Sequence, residues 1–370
     1  MFMSGSLTFA ADVIRHYLDD HGLMSNTSFR NPLPMTSERK SQHLDIVLEG
    51  RAAGNGNTGL DSVLFEHVAL PDLHPDQIDL TTTFLGRRVA LPFLVSSMTG
   101  GPARAAGINA NLAMACQAAG VALAVGSQRV ALETGDAGGL DRSLRQAAPD
   151  IPILANLGAA QFNLGYGPDH ARRAVEAIEA DALIIHLNPL QEALQPEGDR
   201  DWRGLLAKIG TLARDLPVPV VVKEVGAGLS GRMAGLLADE GIRHFDTAGA
   251  GGTSWAAVEG ARTTSPRDAA IAGAFAHWGI PTATAIRQIR AACPDSVLIA
   301  SGGLVNGLDA ARAIRLGADL AGFAAPLLAA AIQGPDAVAE VFAVLEGQLR
   351  VACFCTGSRD LAALRKAALL

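Results

Sequence analysis

The sequence predicts a single (β/α)8 barrel of the TIM type, and three observations support this fold class. From about residue 90, short apolar runs rich in β-branched residues alternate with alanine-rich helical stretches, which is the pattern of βα units. There are eight such runs, and they are apolar throughout, as strands covered on both faces are. Glycine-rich and polar residues follow the runs directly. This bias predicts a functional site at the carboxyl end of the barrel, where such folds build their sites.

The first of these runs also decides between two parallel architectures. An open doubly wound sheet favours a GxGxxG turn after its first strand, whereas the first run here is followed by Ser97-Met98-Thr99-Gly100-Gly101. Closure into a barrel is therefore the predicted architecture. The predicted strands span residues 91–96, 121–125, 151–155, 182–187, 218–223, 243–247, 297–301 and 319–323.

Three segments lie outside the eight predicted βα units. Residues 1–36 are interpreted as an N-terminal extension without assigned chemistry, with a short helix at 11–21 and a loop at 25–36, so that the barrel domain spans 37–370. Residues 60–91 predict a hairpin, with strands at 65–70 and 78–84, that covers the bottom of the barrel. The C-terminal tail after Pro335 has a helical pattern, and we expect it to pack outside the barrel.

Composition and charge exclude several classes of function. Of the 370 residues, 49% are hydrophobic and 18% are charged, which is the balance of a compact α/β enzyme. The net charge of −7 disfavours nucleic acid and anionic membranes as partners, so an anionic ligand needs a local cluster of positive charge. No apolar run reaches the ~20 residues of a membrane span, and the amino terminus lacks a signal-peptide pattern. These features predict a cytoplasmic protein.

The four cysteines do not form a metal-binding pattern. Cys116 and Cys293 stand alone, and Cys353 and Cys355 form a C-x-C pair without a second pair of ligands. We expect free, buried thiols in a reducing compartment.

Two glycine-rich strand ends predict a phosphate site. Ser301-Gly302-Gly303 ends the seventh strand, and Gly322-Phe323-Ala324-Ala325 ends the eighth. Barrels often bind phosphate between these two loops, because backbone N–H groups near a helix N-terminus point at the anion. A Gly-Gly pair on its own is also compatible with a simple tight turn.

Lys223 is one of only four lysines, and it ends a strand of three valines. Burial of an ammonium group is unfavourable unless an anion or an electron-rich ring lies beside it. The pyrimidine edge of a flavin, which gathers negative charge on reduction, is such a partner. The alternative is a structural ion pair with Glu224 or another nearby acid.

The densest polar segment follows the fourth strand. It contains His186, Asn188, Gln191 and Glu192 and continues to Asp199. Histidine, asparagine and glutamine side chains can donate to an anion, and a glutamate carboxylate offers the hard oxygen that Mg²⁺ prefers. A lone histidine at a strand end is often a satisfied core residue, but four such groups at a barrel mouth favour a functional role.

A cationic group lies upstream of the barrel, in Arg39-Lys40-x-x-His43. On one helical face these three side chains can clamp a diphosphate. The same pattern also occurs on ordinary solvated helices, and spacing alone does not decide between the two.

Taken together, these motifs resemble the type 2 isopentenyl diphosphate isomerases. The matching segments occur in the family's order from about residue 37 to the end of the chain. Each piece alone is unspecific, whereas the combination is highly specific. The segments are Arg39-Lys40-x-x-His43, 92–101, Gly126-Ser127-Gln128-Arg129, 155–159, His186-Leu187-Asn188 with Gln191-Glu192 and 195–198, Lys223-Glu224-Val225-Gly226, and Gly251-Gly252-Thr253-Ser254-Trp255.

The resemblance implies interconversion of isopentenyl and dimethylallyl diphosphate in isoprenoid biosynthesis, with FMN, Mg²⁺ and a reductant such as NADPH. It also implies a homo-oligomer, either a tetramer or an octamer. It assigns FMN contacts to Ser97, Met98, Thr99, Ser127, Asn156, Lys223, Thr253, the Gly302-Gly303-Leu304 loop and Ala324-Ala325. It assigns diphosphate binding to Arg39, Lys40, His43 and Arg129, catalytic and substrate-lining roles to His186, Asn188 and Gln191, and Mg²⁺ to Glu192.

Three residues, in two loops, depart from the family's pattern. Val305 stands where an arginine is common, and Ala324-Ala325 stand where a polar or basic residue is often found. These changes reduce the side-chain contacts to a flavin phosphate and leave that group to backbone donors.

The implied reaction moves a double bond by adding a proton at one carbon and removing one from another. Reduced flavin carries a proton at N5 beside an electron-rich ring, and it can serve as acid and base without net redox change. Two alternatives remain: an FMN-dependent barrel oxidoreductase, and a non-catalytic flavin-binding relative. The loop at 249–255 contains no cysteine, which disfavours an oxidoreductase of the inosinate dehydrogenase kind.

Overall fold

The eight predicted strands are present and close into one barrel, in a computed structural model that describes residues 36–52, 57–98 and 103–370. Neighbouring barrel strands pair in parallel, and the last strand pairs with the first, which confirms the (β/α)8 fold. In chain order the strands are a preceding pair, β1 (Thr82–Phe84) and β2 (Arg87–Val89), and the barrel strands β3 (Phe93–Val95), β4 (Ala122–Ala124), β5 (Ile153–Gly158), β6 (Ala182–Leu187), β7 (Val220–Glu224), β8 (His244–Asp246), β9 (Val297–Ala300) and β10 (Leu320–Phe323). The predictions for residues 1–35, and the role assigned to Thr99, lie outside the described residues.

Burial on both faces explains why the strands are continuous apolar runs. Every residue of β5 and β7 is buried. Because successive side chains of a strand point to opposite faces, Leu154 and Val221 fill the barrel interior, while Leu183 and Val222 belong to the larger outer core. Apart from His244 at the amino end of β8, the polar side chains of the barrel strands lie in their carboxyl halves.

A hairpin closes the bottom of the barrel, as the sequence predicts. β1 pairs antiparallel with β2, and the turn between them holds Leu85 (φ 50°) and Gly86 (φ 76°) in the left-handed region. Phe84 and Val89 are buried in the same cluster as the inward side chains of the barrel. The pair therefore seals the end of the barrel that lies opposite the candidate site.

The strands predicted for this hairpin are wrong. Residues 65–70 form no strand, and Phe65 makes only an isolated bridge with Leu369; of the predicted strand at 78–84, only the last three residues form a strand. The two-residue turn lets β1 pair with the chain directly after it. That pairing closes a far shorter loop than pairing with residues 65–70, so it costs less entropy.

Helices cover the outside of the barrel between successive strands. They are α1 (Thr36–Leu48), α2 (Ala103–Ala119), α3 (Arg129–Thr134), α4 (Arg142–Ala147), α5 (Pro168–Ala177), α6 (Pro189–Leu194), α7 (Leu205–Asp215), α8 (Gly231–Asp239), α9 (Trp255–Arg262), α10 (Pro266–Ala274), α11 (Thr282–Ala292), α12 (Gly307–Arg315), α13 (Ala325–Gln333), α14 (Pro335–Cys355) and α15 (Leu361–Leu364). Three short 3-10 helices lie at Leu60–Ser62, Pro75–Gln77 and Ala159–Asn163.

The C-terminal tail packs outside the barrel, as predicted. Its main helix α14 has 21 residues and buries Phe342, Leu345 and Leu349 against α2, α12 and α13. Within the described ranges, none of the helices combines the length and the apolar character of a membrane span. Cys116, Cys293 and Cys353 are buried, and burial raises the pKa of Cys353 to about 12, so this thiol stays protonated.

Two aspartates link neighbouring strands by hydrogen bonds at the amino end of the barrel. Asp181, just before β6, accepts hydrogen bonds from Arg87 Nε and Arg145 Nη2, both at 2.7 Å, and from the backbone N–H of Ile153 at 2.9 Å. Arg145 is itself buried, and also donates to the carbonyl of Ile151. One carboxylate thus joins β5, β6 and the hairpin at the base of the barrel.

Asp319, just before β10, repeats this arrangement four strands later. It accepts from Arg290, from Arg365 and from the backbone N–H of Leu298. The second site is more open, since the side chain of Asp319 is 30% exposed and that of Asp181 is 14% exposed.

We expect Asp181→Ala to lower the free energy of unfolding by about 3 kcal/mol, because it leaves the buried charge of Arg145 without its counter-ion. Asp319→Ala should cost less, since its arginines reach water. Asp169→Ala, which removes an exposed pair with Arg172, is the control and should change the stability by less than about 0.5 kcal/mol. Urea denaturation measures all three, and equal losses at Asp181 and Asp169 would contradict the assignment.

Candidate active site

Four neighbouring strands place the centre of the candidate site in one layer at their carboxyl ends. In the strand register Gly158 of β5 lies beside His186 of β6, His186 beside Lys223 of β7, and Lys223 beside Asp246 of β8. Glycine is needed at the first position, because a Cβ atom there would lie 2.9 Å from His186 Nε2. One row of the barrel thus combines an imidazole, an ammonium and a carboxylate.

Lys223 is buried and forms an ion pair with Asp246. Its Nζ lies 2.9 Å from Asp246 Oδ2 and donates to Ser301 Oγ at 3.1 Å. Ser301 in turn donates to Asp246 Oδ1 at 2.5 Å. The sequence left two acidic partners open for this lysine, Glu224 or another nearby acid. The structure pairs Lys223 with Asp246 and not with Glu224.

Glu224 is not paired with Lys223 because the loop after β7 occupies its carboxylate. Its Oε2 accepts the backbone N–H groups of the next four residues, Val225 to Gly228, at 2.5–3.0 Å. Burial raises the pKa of Glu224, and these hydrogen bonds act in the opposite direction. The side chain therefore shapes the loop.

His186 is held as a neutral imidazole. Asn156 Nδ2 donates to Ser97 Oγ at 2.8 Å, so Asn156 Oδ1 faces His186 Nδ1, at 2.7 Å, and this pairing assigns the proton to Nδ1. Burial first, and then the charges of Lys40 and Lys223, lower the pKa of His186 to about 4. Near neutral pH the Nε2 atom is therefore an acceptor and not a cationic ligand.

The polar segment after β6 folds into α6 and orders its own side chains. Asn188 Nδ2 donates to Gln191 Oε1 at 3.1 Å and to Glu192 Oε1 at 2.8 Å. Glu192 Oε2 accepts the backbone N–H of Asp199 at 2.7 Å. The structure therefore brings the predicted Asn188, Gln191 and Glu192 together, with Asn188 linking the other two.

A buried carboxylate, Glu259 of α9, connects this segment to α1. Gln191 Nε2 donates to Glu259 Oε1 at 3.1 Å, and His43 Nε2 of α1 lies 3.0 Å from the same oxygen. Arg262 Nε donates to the other oxygen, Oε2, at 2.9 Å, and Arg262 Nη2 pairs with Glu197 at 2.8 Å. The rings of His43 and Trp255 also pack in a T-shaped arrangement, with their centroids 5.2 Å apart. This network fixes both the orientation of the Gln191 amide and the position of α1.

The cations predicted to clamp a diphosphate are brought near the mouth in different ways. Lys40 Nζ reaches the carbonyl oxygen of Ser127 at 3.4 Å. Arg129 at the start of α3 is paired with Glu133 and Asp199, each at 2.8 Å. His43 faces Glu259, as described above, and Arg39 lies in α1 but its side chain is outside the described part. Lys40 and Arg129 thus flank the same loop, next to the polar segment.

The loops predicted to hold phosphate lie at the ends of β9 and β10. Gly302 and Gly303 adopt φ values of 102° and 78°, and a Cβ atom on either would collide with the backbone of the loop after β8. That loop includes Thr253, whose carbonyl oxygen would lie 2.6 Å from a Cβ atom on Gly226. Ala324 precedes the first turn of α13, a nine-residue helix. Leu304 is buried beneath these loops, and Val305 points outward with 61% exposure.

The residues present fit a flavin mononucleotide. Ser97, Asn156 and Lys223 supply side-chain donors and acceptors at the mouth, and the buried Ser96 Oγ has no hydrogen-bond partner among the described residues. The N-terminus of α13 and the bare backbone of Gly302 and Gly303 offer N–H groups for a phosphate. The fit to the phosphate therefore depends on backbone donors, as the departures at Val305 and Ala324-Ala325 predict.

The structure offers fewer candidate ligands for a metal ion than for a flavin. Across the described ranges, no group of three or more His, Cys, Asp or Glu side chains is placed to hold a cation. Glu192 contributes a single carboxylate, and Mg²⁺ commonly binds to one or two carboxylates together with phosphate oxygens and water. A single carboxylate is compatible with Mg²⁺ only if further oxygen ligands come from a bound anion and water.

Sequence reasoning missed Asp246, Glu259 and Arg262 as members of the site, and it included Ser301 only as part of the glycine-rich phosphate loop. Asp246 had a usable signal, because it is an acid within a predicted buried strand. Glu259 and Arg262 had a weaker one, since both lie on a short helix whose sequence gives no sign that they face the barrel mouth. Apart from the pair that Glu259 and Arg262 form with each other, their partners lie far away in the chain, and spacing does not reveal them.

Three similar proteins of known name all carry the same name. The chain is 62% identical over 333 residues to an isopentenyl-diphosphate delta-isomerase of Stutzerimonas stutzeri (strain A1501), covering 90% of this chain and 96% of the relative. It is 61% identical to the protein of that name from Xanthobacter autotrophicus (strain ATCC BAA-1158 / Py2), covering 89% and 96%. A protein of the same name from Nostoc sp. (strain PCC 7120 / SAG 25.82 / UTEX 2576) is 46% identical, covering 89% and 94%.

Proteins with less similar sequences share features of the fold. Residues 206–370 match the FMN-dependent dehydrogenase family. A mandelate oxidase variant with an FMN monooxide adduct superposes with a TM-score of 0.62, covering 90% of this chain and 99% of the oxidase. The sequence identity of that pair is only 17%, so the likeness concerns the fold.

Proposed function

Because the chain belongs to the isopentenyl-diphosphate delta-isomerase family, in its FMN-dependent barrel form, we propose that it interconverts isopentenyl and dimethylallyl diphosphate. The observation that supports this most is the convergence of three groups at one barrel mouth. They are the Lys223–Asp246 pair, the His186–Asn156 pair and the Asn188-ordered segment with Gln191 and Glu192. The relatives carry the family name, and this geometry supplies the groups that such a reaction needs.

FMN, when bound and reduced, supplies a proton donor and acceptor beside a planar, electron-rich ring. We assign its polar edge to Ser97, Met98, Ser127, Asn156 and Lys223. Thr253, Thr99 and the backbone of Gly302, Gly303, Leu304, Ala324 and Ala325 complete the proposed FMN contacts.

The chain's own residues bind and orient the substrate in this proposal. Lys40 and Arg129, with Arg39 and His43, hold the diphosphate, and Glu192 holds Mg²⁺ against it. Gln191 presents an amide whose two ends are fixed by Asn188 and Glu259. His186 offers an acceptor nitrogen, and a bound anion would raise its pKa from about 4.

NADPH as the reductant and a homo-oligomer of four or eight subunits follow from the family resemblance. A cytoplasmic location and residues 1–36 as an N-terminal extension follow from the sequence pattern, and they remain part of the proposal. The fold itself also suits an FMN-dependent oxidoreductase, which the match over residues 206–370 keeps as the second candidate.

Turnover without consumption of reductant tests the isomerase against that candidate. Prereduced enzyme is incubated with isopentenyl diphosphate in D₂O without air, and product and NADPH are followed together. We expect dimethylallyl diphosphate in large excess over the NADPH oxidised, with deuterium in the product, because acid–base chemistry returns the cofactor unchanged. NADPH loss equal to the product formed would favour the oxidoreductase. FMN binding without product or deuterium exchange would favour a non-catalytic relative.

A further inference from the structure

The carboxylate of Asp246 is completely buried at the centre of the site, at 0% exposure, and the proposed reaction includes it only as the partner of Lys223. Its two oxygens are used differently. Oδ1 accepts Ser301 Oγ at 2.5 Å and the backbone N–H of Ala248 at 3.2 Å, while Oδ2 lies 2.9 Å from Lys223 Nζ. One side of the carboxylate is therefore anchored to the protein and the other faces the ammonium.

The anchor is itself rigid, because Ser301 is fixed from both sides. Its backbone N–H donates to Thr247 Oγ1 at 3.0 Å, and its carbonyl oxygen accepts from the same hydroxyl at 2.8 Å. The backbone N–H of Gly249 donates to that carbonyl oxygen as well, at 2.8 Å. Strands β8 and β9 thus hold Asp246 and Ser301 as a unit, and Lys223 contacts both.

The buried ammonium of Lys223 also needs a counter-charge in this layer of the barrel. Lys223 already lowers the pKa of the neighbouring His186, together with burial and Lys40. An ammonium buried without a counter-ion would raise the positive potential of the whole row or lose its proton. With Asp246 beside it, the pair carries no net charge.

We propose that Asp246 is a positioning residue for Lys223: it fixes the direction of the ammonium and cancels its charge, so that Lys223 offers bound FMN a hydrogen-bond donor without net positive charge. This inference rests on the proposed function. A net positive charge beside the ring would favour the reduced cofactor in its deprotonated, anionic form. The neutral pair instead lets the reduced ring keep the proton that acid–base chemistry requires.

The test compares the binding of oxidised and reduced FMN to the full-length protein. In Asp246→Asn the ammonium loses its counter-charge, and we expect the ratio of the dissociation constants, oxidised over reduced, to rise at least about tenfold. That change equals a rise of about 30 mV in the two-electron midpoint potential of bound FMN. The absorption spectrum of the reduced complex should move towards that of the anionic reduced flavin. An unchanged ratio and spectrum, with a merely lower unfolding temperature, would overturn the proposal and leave a structural role.

A second pair of variants tests whether the net charge of the Lys223–Asp246 pair reaches the flavin, and it also serves if Asp246→Asn does not fold. Lys223→Met is compared with the double variant Lys223→Met/Asp246→Leu, which buries no charge and so should fold. We expect the ratio of dissociation constants, oxidised over reduced, to be lower in Lys223→Met than in the double variant, because only the single variant leaves an uncompensated carboxylate in this row. Equal ratios in the two variants, within about threefold, would mean that the charge of Asp246 does not reach the flavin and would overturn the proposal. Wild-type protein that binds no FMN would overturn the proposed function as well, whereas wild-type binding with no response to Asp246→Asn rejects this inference alone.

Discussion

We expect Glu259→Ala to lower kcat/KM for isopentenyl diphosphate by about 100-fold, the loss that follows when a catalytic group is misplaced by about 1 Å. Glu259 is 3% exposed and holds three partners, Gln191, His43 and Arg262, through direct contacts. Its removal releases the Gln191 amide, which lowers kcat, and releases α1 with its cations, which raises KM. Steady-state kinetics under reducing, anaerobic conditions separate the two effects.

The controls for this prediction distinguish positioning from a general loss of stability. Arg262 keeps its pair with Glu197 in the variant, and FMN binding should be unchanged because the flavin contacts lie on other elements. Glu340→Ala removes an exposed glutamate from α14 and should leave both kinetic constants unchanged. If Glu259→Ala lost FMN in parallel with activity, or if only the unfolding temperature fell, the network would be structural and the prediction would be wrong.

The barrel was predictable from the sequence because its strands are buried on both faces and its polar residues lie at one end. Those are local properties, and they located all eight barrel strands and the segment that carries His186, Asn188, Gln191 and Glu192. The base hairpin shows where this reasoning stops. Residues 65–70 have the composition of a strand, but the turn at Leu85-Gly86 gives β1 a nearer partner.

The contacts that organise the site were not predictable in the same way. Lys223 was recognised as a buried cation, yet its partner depends on the register between β7 and β8, which places Asp246 beside it. The link from His43 to Glu259 depends on how α1 docks near α9, and no spacing in the chain encodes it. Ion pairs between distant segments follow from the three-dimensional packing, so a sequence identifies the candidates and the structure identifies their partners.

The metal prediction follows from how little the protein itself offers to Mg²⁺. Glu192 is a single carboxylate, ordered by Asn188 Nδ2 on one oxygen and by the Asp199 N–H on the other. Among the described residues, no group of three or more His, Cys, Asp or Glu side chains is placed to hold a metal ion. We therefore expect Mg²⁺ to bind weakly to the enzyme alone and tightly only when a diphosphate supplies further oxygens.

Under that arrangement, Glu192→Gln should raise the Mg²⁺ concentration for half-maximal activity about 100-fold, the upper end of the range for lost metal-site partners. The substituted amide loses the negative charge, and its NH₂ group would face one of the two N–H donors that now hold the carboxylate. Asn188→Ala, which removes only one of these donors, should raise the requirement by about tenfold. Asp201→Asn is the matched control, because it neutralises an exposed carboxylate on the chain segment after Asp199 and should have no effect.

Activity is titrated with Mg²⁺ at saturating FMN, and calorimetry compares Mg²⁺ binding with and without isopentenyl diphosphate. An unchanged Mg²⁺ requirement in Glu192→Gln would exclude this carboxylate as the ligand, and tight Mg²⁺ binding without substrate would place the ion at a different site.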